Sequence, residues 1–195
     1  MKSRYSLLFI IAPLFAPLNS SIGTKPPQHS SDPTQASYLH RLVQKATHLT
    51  DTQRRTLTRA ILLFHTTIGF APTLHKALSP EINGHIYEIE TAVHLAAQKY
   101  TVLIFNTIIT SGETKREFDI IAQAPDGTDH WIECKAGKPK DWNKQQFAEQ
   151  QRIAQIIATR QAKKTIVYRV YSRTRLTSSW REWFDEHNIT CEEIS

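Results

Sequence analysis

The sequence predicts an α/β protein, and three observations carry that expectation. Residues Phe118 to Lys135 read as two short apolar strands joined by a Pro125-Asp126-Gly127 turn. A helical stretch from Gly84 to Tyr100 precedes them and leads into an apolar strand, Thr101 to Phe105. A polar helix from Asp141 to Gln161, with Phe147, Ile153, Ile156 and Ile157 on one face, follows and leads into a strand at Thr165 to Tyr171. A helix around Ser179 to His187 and an apolar piece at Ile189 to Ile194 complete the chain.

The N-terminal part is of a different kind. In residues 1–20, Lys2 and Arg4 lead into an apolar run, Leu7 to Leu18, with small and polar residues at Asn19-Ser20-Ser21. That is the three-part form of a secretory signal peptide, and the run is too short, and too interrupted by Pro13 and Pro17, for an ordinary membrane span. Residues 21–36 are rich in Ser, Pro, Thr and Gln, the composition of a disordered linker. A helical extension is expected over 37–78. Tyr38, Leu39, Leu42, Val43 and Ala46 mark one amphipathic helix, and Thr50-Asp51-Thr52-Gln53 is a capping box opening a second that runs to about Ile68, with Gly69 as its stop. The remainder, 79–195, forms the domain that carries the chemistry, and the helical extension is read as padding on it because the chain suits a single domain.

Side chains alternate across a strand, so Glu133 and Lys135 project from one face of the second hairpin strand while Cys134 points into the packing. With Asp119 on the first strand, two carboxylates and an ammonium converge at the open end of the hairpin. Hard oxygen ligands of this kind hold Mg²⁺, which keeps several waters and takes one or two carboxylates from a protein.

The spacing Asp119, then Glu133-Cys134-Lys135 across a hairpin, resembles the aspartate and E-x-K motif of the PD-(D/E)XK nuclease superfamily, although Phe118 stands where its usual proline would be. The resemblance implies a restriction-endonuclease-like core, a mixed sheet flanked by helices, with the N-terminal helical pair added. It implies a metal-dependent nuclease, endonuclease before exonuclease, acting on DNA before RNA. Asp119, Glu133 and the Cys134 main-chain carbonyl would hold Mg²⁺, with Mn²⁺ able to substitute, and Lys135 would position or activate the attacking water. The superfamily also places a glutamate on the preceding helix. Glu88 stands four residues after Gly84, a spacing several of its members show, whereas Glu90 lies nearer the edge of the apolar stripe formed by Ile86, Ile89, Val93, Ala96 and Ala97. Both stay open. A glutamine on the following helix often supports the site or touches nucleic acid, and Gln146, Gln150 and Gln151 are all available.

Composition agrees with a polyanionic partner. The formal charge is +6 and the isoelectric point about 9.4, and Lys and Arg supply most non-specific nucleic-acid affinity. Lys138, Lys140 and Lys144 cluster just after the E-x-K strand and are expected to bind the nucleic acid, with Gln150 and Gln151 beside them. Lys163, Lys164, Arg169, Arg173 and Arg175 extend the positive field. Two cysteines, Cys134 and Cys191, give no zinc spacing, and a bridge between them is a minor alternative. His130 reads as a surface residue. The expectation is thus an exported or periplasmic nuclease, with no stable membrane partner after signal cleavage and with a homodimer or an immunity protein as further partners. A cytoplasmic enzyme follows instead if the first segment is not a working signal. The rivals are a secreted toxin or effector nuclease acting in another cell, a non-catalytic nucleic-acid-binding module, and a structural or envelope-associated protein, which would explain the signal peptide but leave Asp119, Glu133 and Lys135 unexplained.

Overall fold

A computed structural model describes residues 33–79, 84–161 and 165–194. The expected signal peptide lies outside the described residues, as do most of the expected linker and the pair Lys163 and Lys164. Helix α1, Pro33–Lys45, begins inside the stretch expected to be linker. Helix α2, Asp51–Phe64, opens on the capping box: the Gln53 main-chain N–H donates to Thr50 Oγ1 at 3.2 Å, and the Thr50 N–H to Gln53 Oε1 at 2.9 Å. It stops before Ile68 because Ile68 leaves the helix to pair with the sheet, its carbonyl accepting from the Phe105 N–H at 2.9 Å. A third helix, α3 (Phe70–Ala77), was not expected, and it tolerates Pro72 in its first turn, where an N–H has no intrahelical acceptor.

The core follows in the order expected. Helix α4 (Gly84–Ala97) precedes strands β1 (Thr101–Ser111), β2 (Thr114–Gln123) and β3 (Asp129–Lys135); α5 (Lys144–Arg160), β4 (Ile166–Ser172), α6 (Ser178–Glu186) and β5 (Thr190–Glu193) complete it. The five strands lie in sequence order, β1 to β3 antiparallel and β3 to β5 parallel, so the sheet is mixed. This is a mixed α/β sheet flanked by helices, with further helices at its N-terminus, consistent with the core that the sequence resemblance implies. β1 is longer than the apolar run Thr101 to Phe105 because it continues through a polar, β-branched stretch to a two-residue turn. There Gly112 takes φ +63, the geometry a tight hairpin needs at its first central position. The second turn is the expected Pro-Asp-Gly one, with the Gly127 N–H donating to Ala124 O at 2.9 Å. The polar helix starts later than Asp141, since Pro139–Asp141 forms a separate 3₁₀ turn and Asn143 caps α5 by accepting from the Gln145 N–H.

Apolar residues of α1 to α4 cover one face of the sheet, and those of α5 and α6 cover the other. Helix α4 is therefore buried on most sides, with Ile86, Tyr87, Glu88, Ile89, Thr91, Ala92, Val93 and Leu95 all inside. Among the described residues no helix is long and apolar enough to cross a membrane.

Candidate active site

The site forms where β2 and β3 part. Their ladder runs from Gln123 opposite Asp129 to Ile120 opposite Ile132, and stops. One step beyond, the Cys134 main-chain N–H donates to Asp119 Oδ2 at 2.7 Å, so a side chain takes the place of a ladder bond. The pleat of β2 also inverts there: Ile120 packs into the α4 side and Phe118 into the α5 side, although residues two apart on a regular strand share a face. Across on β1, Asn106 sits between the pairs Phe105–Ile120 and Thr107–Phe118 with φ +48, a left-handed conformation that asparagine tolerates. Such an irregularity re-aims a side chain out of the regular pleat, here that of Asp119.

Glu133 is buried, and its carboxylate is held by three side chains. Lys135 Nζ donates to Oε1 at 2.5 Å, Gln146 Nε2 to Oε1 at 2.8 Å, and Gln150 Nε2 to Oε2 at 2.5 Å. Lys135 Nζ also reaches Gln146 Oε1 at 3.3 Å and lies 5.5 Å from the centre of the Phe147 ring. Gln150 is fully buried and fully used: it also donates to Glu117 O at 2.8 Å, and its Oε1 accepts from Tyr168 Oη at 2.8 Å.

Glu88 is buried on α4, 6% exposed. Its Oε2 accepts from Asn106 Nδ2 at 2.9 Å, and its Oε1 lies 2.7 Å from His85 Nδ1 without the alignment of a good hydrogen bond. Burial pushes the Asp119 carboxyl well above the ordinary aspartate range; Glu133 is the next cause and Glu88 the third, while the Cys134 N–H and Lys135 pull the other way. Three acidic side chains thus share one electrostatic neighbourhood. Among the described residues no three His, Cys, Asp or Glu side chains form a ready-made metal cage.

Several expectations need correction. Glu90 does not join the cluster; it is partly exposed and pairs with Arg173. The amphipathic-phase reading pointed to it by treating α4 as a surface helix, whereas α4 is packed between the sheet and helices α2 and α3. Gln150 is not placed to touch nucleic acid, because it is buried beneath Glu133. Gln151 is not either: its Nε2 donates to the carbonyls of His187, at 2.7 Å, and Asn188, tying α5 to the end of α6. Lys138, Lys140 and Lys144 are exposed, and Lys144 Nζ lies 5.3 Å from the centre of the Trp180 ring. His130 is buried, packed edge-on against Tyr100, and burial lowers its pKa to about 4, with Arg169 adding to the shift. Cys134 and Cys191 are free thiols packed against opposite faces of the sheet. The sequence reading missed Asn106 and Thr73; an asparagine interrupting the apolar run of β1 was the signal available for the first.

The fold and the site's geometry define an α/β protein with a mixed sheet flanked by helices, carrying acidic side chains and a lysine at the split end of its central strands. No family model matches the chain, and no curated protein matches it. Among solved structures it is similar to protein VC1899 from Vibrio cholerae, with 12% identity and a TM-score of 0.43 over 82% of this chain and 47% of that one. It is also similar to Can2 from Sulfobacillus thermosulfidooxidans, solved in complex with cyclic tetra-adenylate, with 15% identity and a TM-score of 0.42 over 84% of this chain and 54% of that one. The chain thus spans about half the length of each.

Proposed function

We propose that this protein is a metal-dependent phosphodiesterase that hydrolyses nucleic acid, with DNA as the substrate to test first. The observation that supports this best is the crowding of negative charge beside Lys135, where Glu133 and Glu88 act on the buried Asp119 carboxyl and, with burial itself, push it up. A divalent cation relieves such crowding. The donors fit Mg²⁺ or Mn²⁺: Asp119 and Glu133 offer hard oxygens, and the Cys134 carbonyl leaves β3 from the same edge as the N–H that reaches Asp119. With no ready-made side-chain cage among the described residues, water and a substrate phosphate would supply the rest of the shell, as is usual for Mg²⁺.

When bound, the cation would supply Lewis acidity and offset charge on the phosphate. The chain's own residues do the remainder. Gln146 and Gln150 hold the Glu133 carboxylate in one orientation. Lys135, braced by Glu133 and Gln146, presents its ammonium to the attacking water and to the phosphate. Lys138, Lys140 and Lys144 lie beyond the end of β3 as exposed cations for a polyanion. Export to the periplasm or beyond, with action in another cell as its toxin variant, remains part of the proposal and rests on residues 1–20 alone; a homodimer or an immunity protein rests on that same reading.

The test is incubation of the purified protein with plasmid, linear duplex, single-stranded DNA and RNA, each with Mg²⁺ and with excess chelator. Cleavage that needs the cation and falls about a thousandfold in Asp119→Ala, Glu133→Ala and Lys135→Ala, roughly 4 kcal/mol of barrier, is the expected result. Unchanged cleavage in Asp119→Ala, or in chelator, overturns it. Cation-independent binding with no cleavage by the wild type would favour the non-catalytic module.

A further inference from the structure

We propose that Asn106 is the positioning residue for the Glu88 carboxylate and that helix α3 sets Asn106, so that the N-terminal helices are a working part of the site. The inference rests on the phosphodiesterase reading above for its catalytic consequence, and on geometry for the rest.

The Asn106 amide spends both of its hydrogens. One goes to Glu88 Oε2 at 2.9 Å and the other to Thr73 Oγ1 at 2.7 Å, on α3. Thr73 in turn donates to Gly69 O at 2.8 Å. The partners fix which end of the amide points where: a carboxylate only accepts, and the Thr73 hydrogen is already given to Gly69, so both demand the NH₂. Thr73 is 1% exposed and Glu88 6%, so water does not readily replace a lost bond here. Among the described residues this is the one well-aligned side-chain hydrogen bond that Glu88 receives.

The backbone at this point is fastened to the same helices. The Phe105 N–H donates to Ile68 O at 2.9 Å. Gly69 has φ +80, and a Cβ there would come within 2.1 Å of the Phe105 carbonyl oxygen, so only glycine permits the approach. The α2–α3 connection therefore docks on β1 one residue before Asn106. Asn106 itself holds a left-handed φ of +48 opposite Asp119. One residue thus touches the irregularity that aims Asp119, the carboxylate of Glu88 and the hydroxyl of α3. Glu90, two residues along α4, has no such tie and pairs with Arg173 at the surface.

The experiment uses the full-length protein and two readouts. In ¹⁵N spectra the Asn106 side-chain amide, assigned by its loss in Asn106→Ala, is expected to exchange slowly and to shift in both Glu88→Gln and Thr73→Val. An amide that exchanges like a solvated one and ignores both substitutions overturns the proposal, whether or not the protein cleaves anything. In cleavage assays Asn106→Ala and Thr73→Val should lower kcat roughly 10-fold to 100-fold with KM for nucleic acid unchanged. Thr73→Ser, which keeps the hydroxyl, should restore the rate, and Asn106→Ala should cost nothing further in a Glu88→Ala background. Additive losses in that cycle, or failure of Thr73→Ser to restore what Thr73→Val loses, overturn the positioning role. If Asn106→Ala does not fold, the Thr73 series decides alone. A wild type that cleaves no nucleic acid sinks the phosphodiesterase reading, and the amide measurement then still decides whether α3 holds Glu88.

Discussion

The two faces of the sheet hold their carboxylates differently. On the α4 side the packing is largely aliphatic, with Leu39, Val43, Leu57, Ile61, Leu74 and Ile89 buried, and a polar thread of Thr73 and Asn106 runs through it to Glu88. On the α5 side the packing is aromatic: Trp142, Phe147, Trp180, Trp183 and Phe184 meet ring to ring, and three donors converge on Glu133. A buried carboxylate with three donors has little freedom to reorient, and one with a single aligned donor has more. Glu133 is therefore the more firmly held of the two, and the placing of Glu88 depends on Asn106.

The difference breaks first at Gln150. Replacing it with alanine strands a Glu133 oxygen, the Tyr168 hydroxyl and the Glu117 carbonyl in the interior, and should cost about 3 kcal/mol in urea unfolding. Gln146→Ala, at a half-buried position where water can enter, should cost about 1 kcal/mol. Equal costs would mean that Glu133 has no deep anchor. The second contrast lies on α4. Glu88→Gln should lower the cleavage rate at least tenfold, because a buried acid leaves the cluster. Glu90→Gln should leave the rate within about twofold and cost at most about 1 kcal/mol of stability, as expected for a partly exposed ion pair. The reverse order would move the helix carboxylate to Glu90.

These contrasts also mark what the sequence could tell. Asp119, Glu133 and Lys135 are readable because alternation on a short hairpin is a local rule, and the turn that sets the hairpin is written in Pro125-Asp126-Gly127. The order of core elements is readable for the same reason. Whether Glu88 or Glu90 turns inward is not, since that depends on α2 and α3 packing over α4, and no periodicity within α4 contains it. The roles of the glutamines were hidden likewise. Gln146, Gln150 and Gln151 lie within six residues of one helix, yet one bridges Glu133 and Lys135, one is buried beneath Glu133 and one ties down the end of α6. Thr73 lies 33 residues from Asn106, beyond the reach of any local pattern.

Asp119 gives a stability signature of its own. Its folded-state pKa is raised, so its contribution is favourable at pH below the ordinary aspartate range and is lost as pH rises through the raised value. At neutral pH without a cation, Asp119→Asn should therefore unfold at a higher temperature than the wild type, and the gap should close on acidification toward the ordinary aspartate range. Mg²⁺ should raise the wild-type midpoint and leave that of Asp119→Asn nearly unchanged. A variant that is less stable than the wild type at neutral pH would mean that the acidic neighbours are already neutralised by something within the chain.

The smallest expected effect separates the basic residues after β3. Lys138 and Lys140 are exposed cations, whereas the Lys144 ammonium lies over Trp180 and Trp183, at 5.3 and 5.6 Å from the ring centres. A cation already placed over aromatic faces benefits less from a phosphate, because moving to it forfeits the attraction of the rings. Removing one phosphate-binding cation should flatten the dependence of log affinity on log salt by about one unit. Lys138→Ala and Lys140→Ala should each show about that change, uniformly across unrelated sequences, and Lys144→Ala a smaller one. A full-unit change for Lys144 would mean that nucleic acid draws it away from the tryptophans, opening the aromatic cluster of the α5–α6 side to the bound strand. No change for any of the three would place the polyanion on another face of the protein.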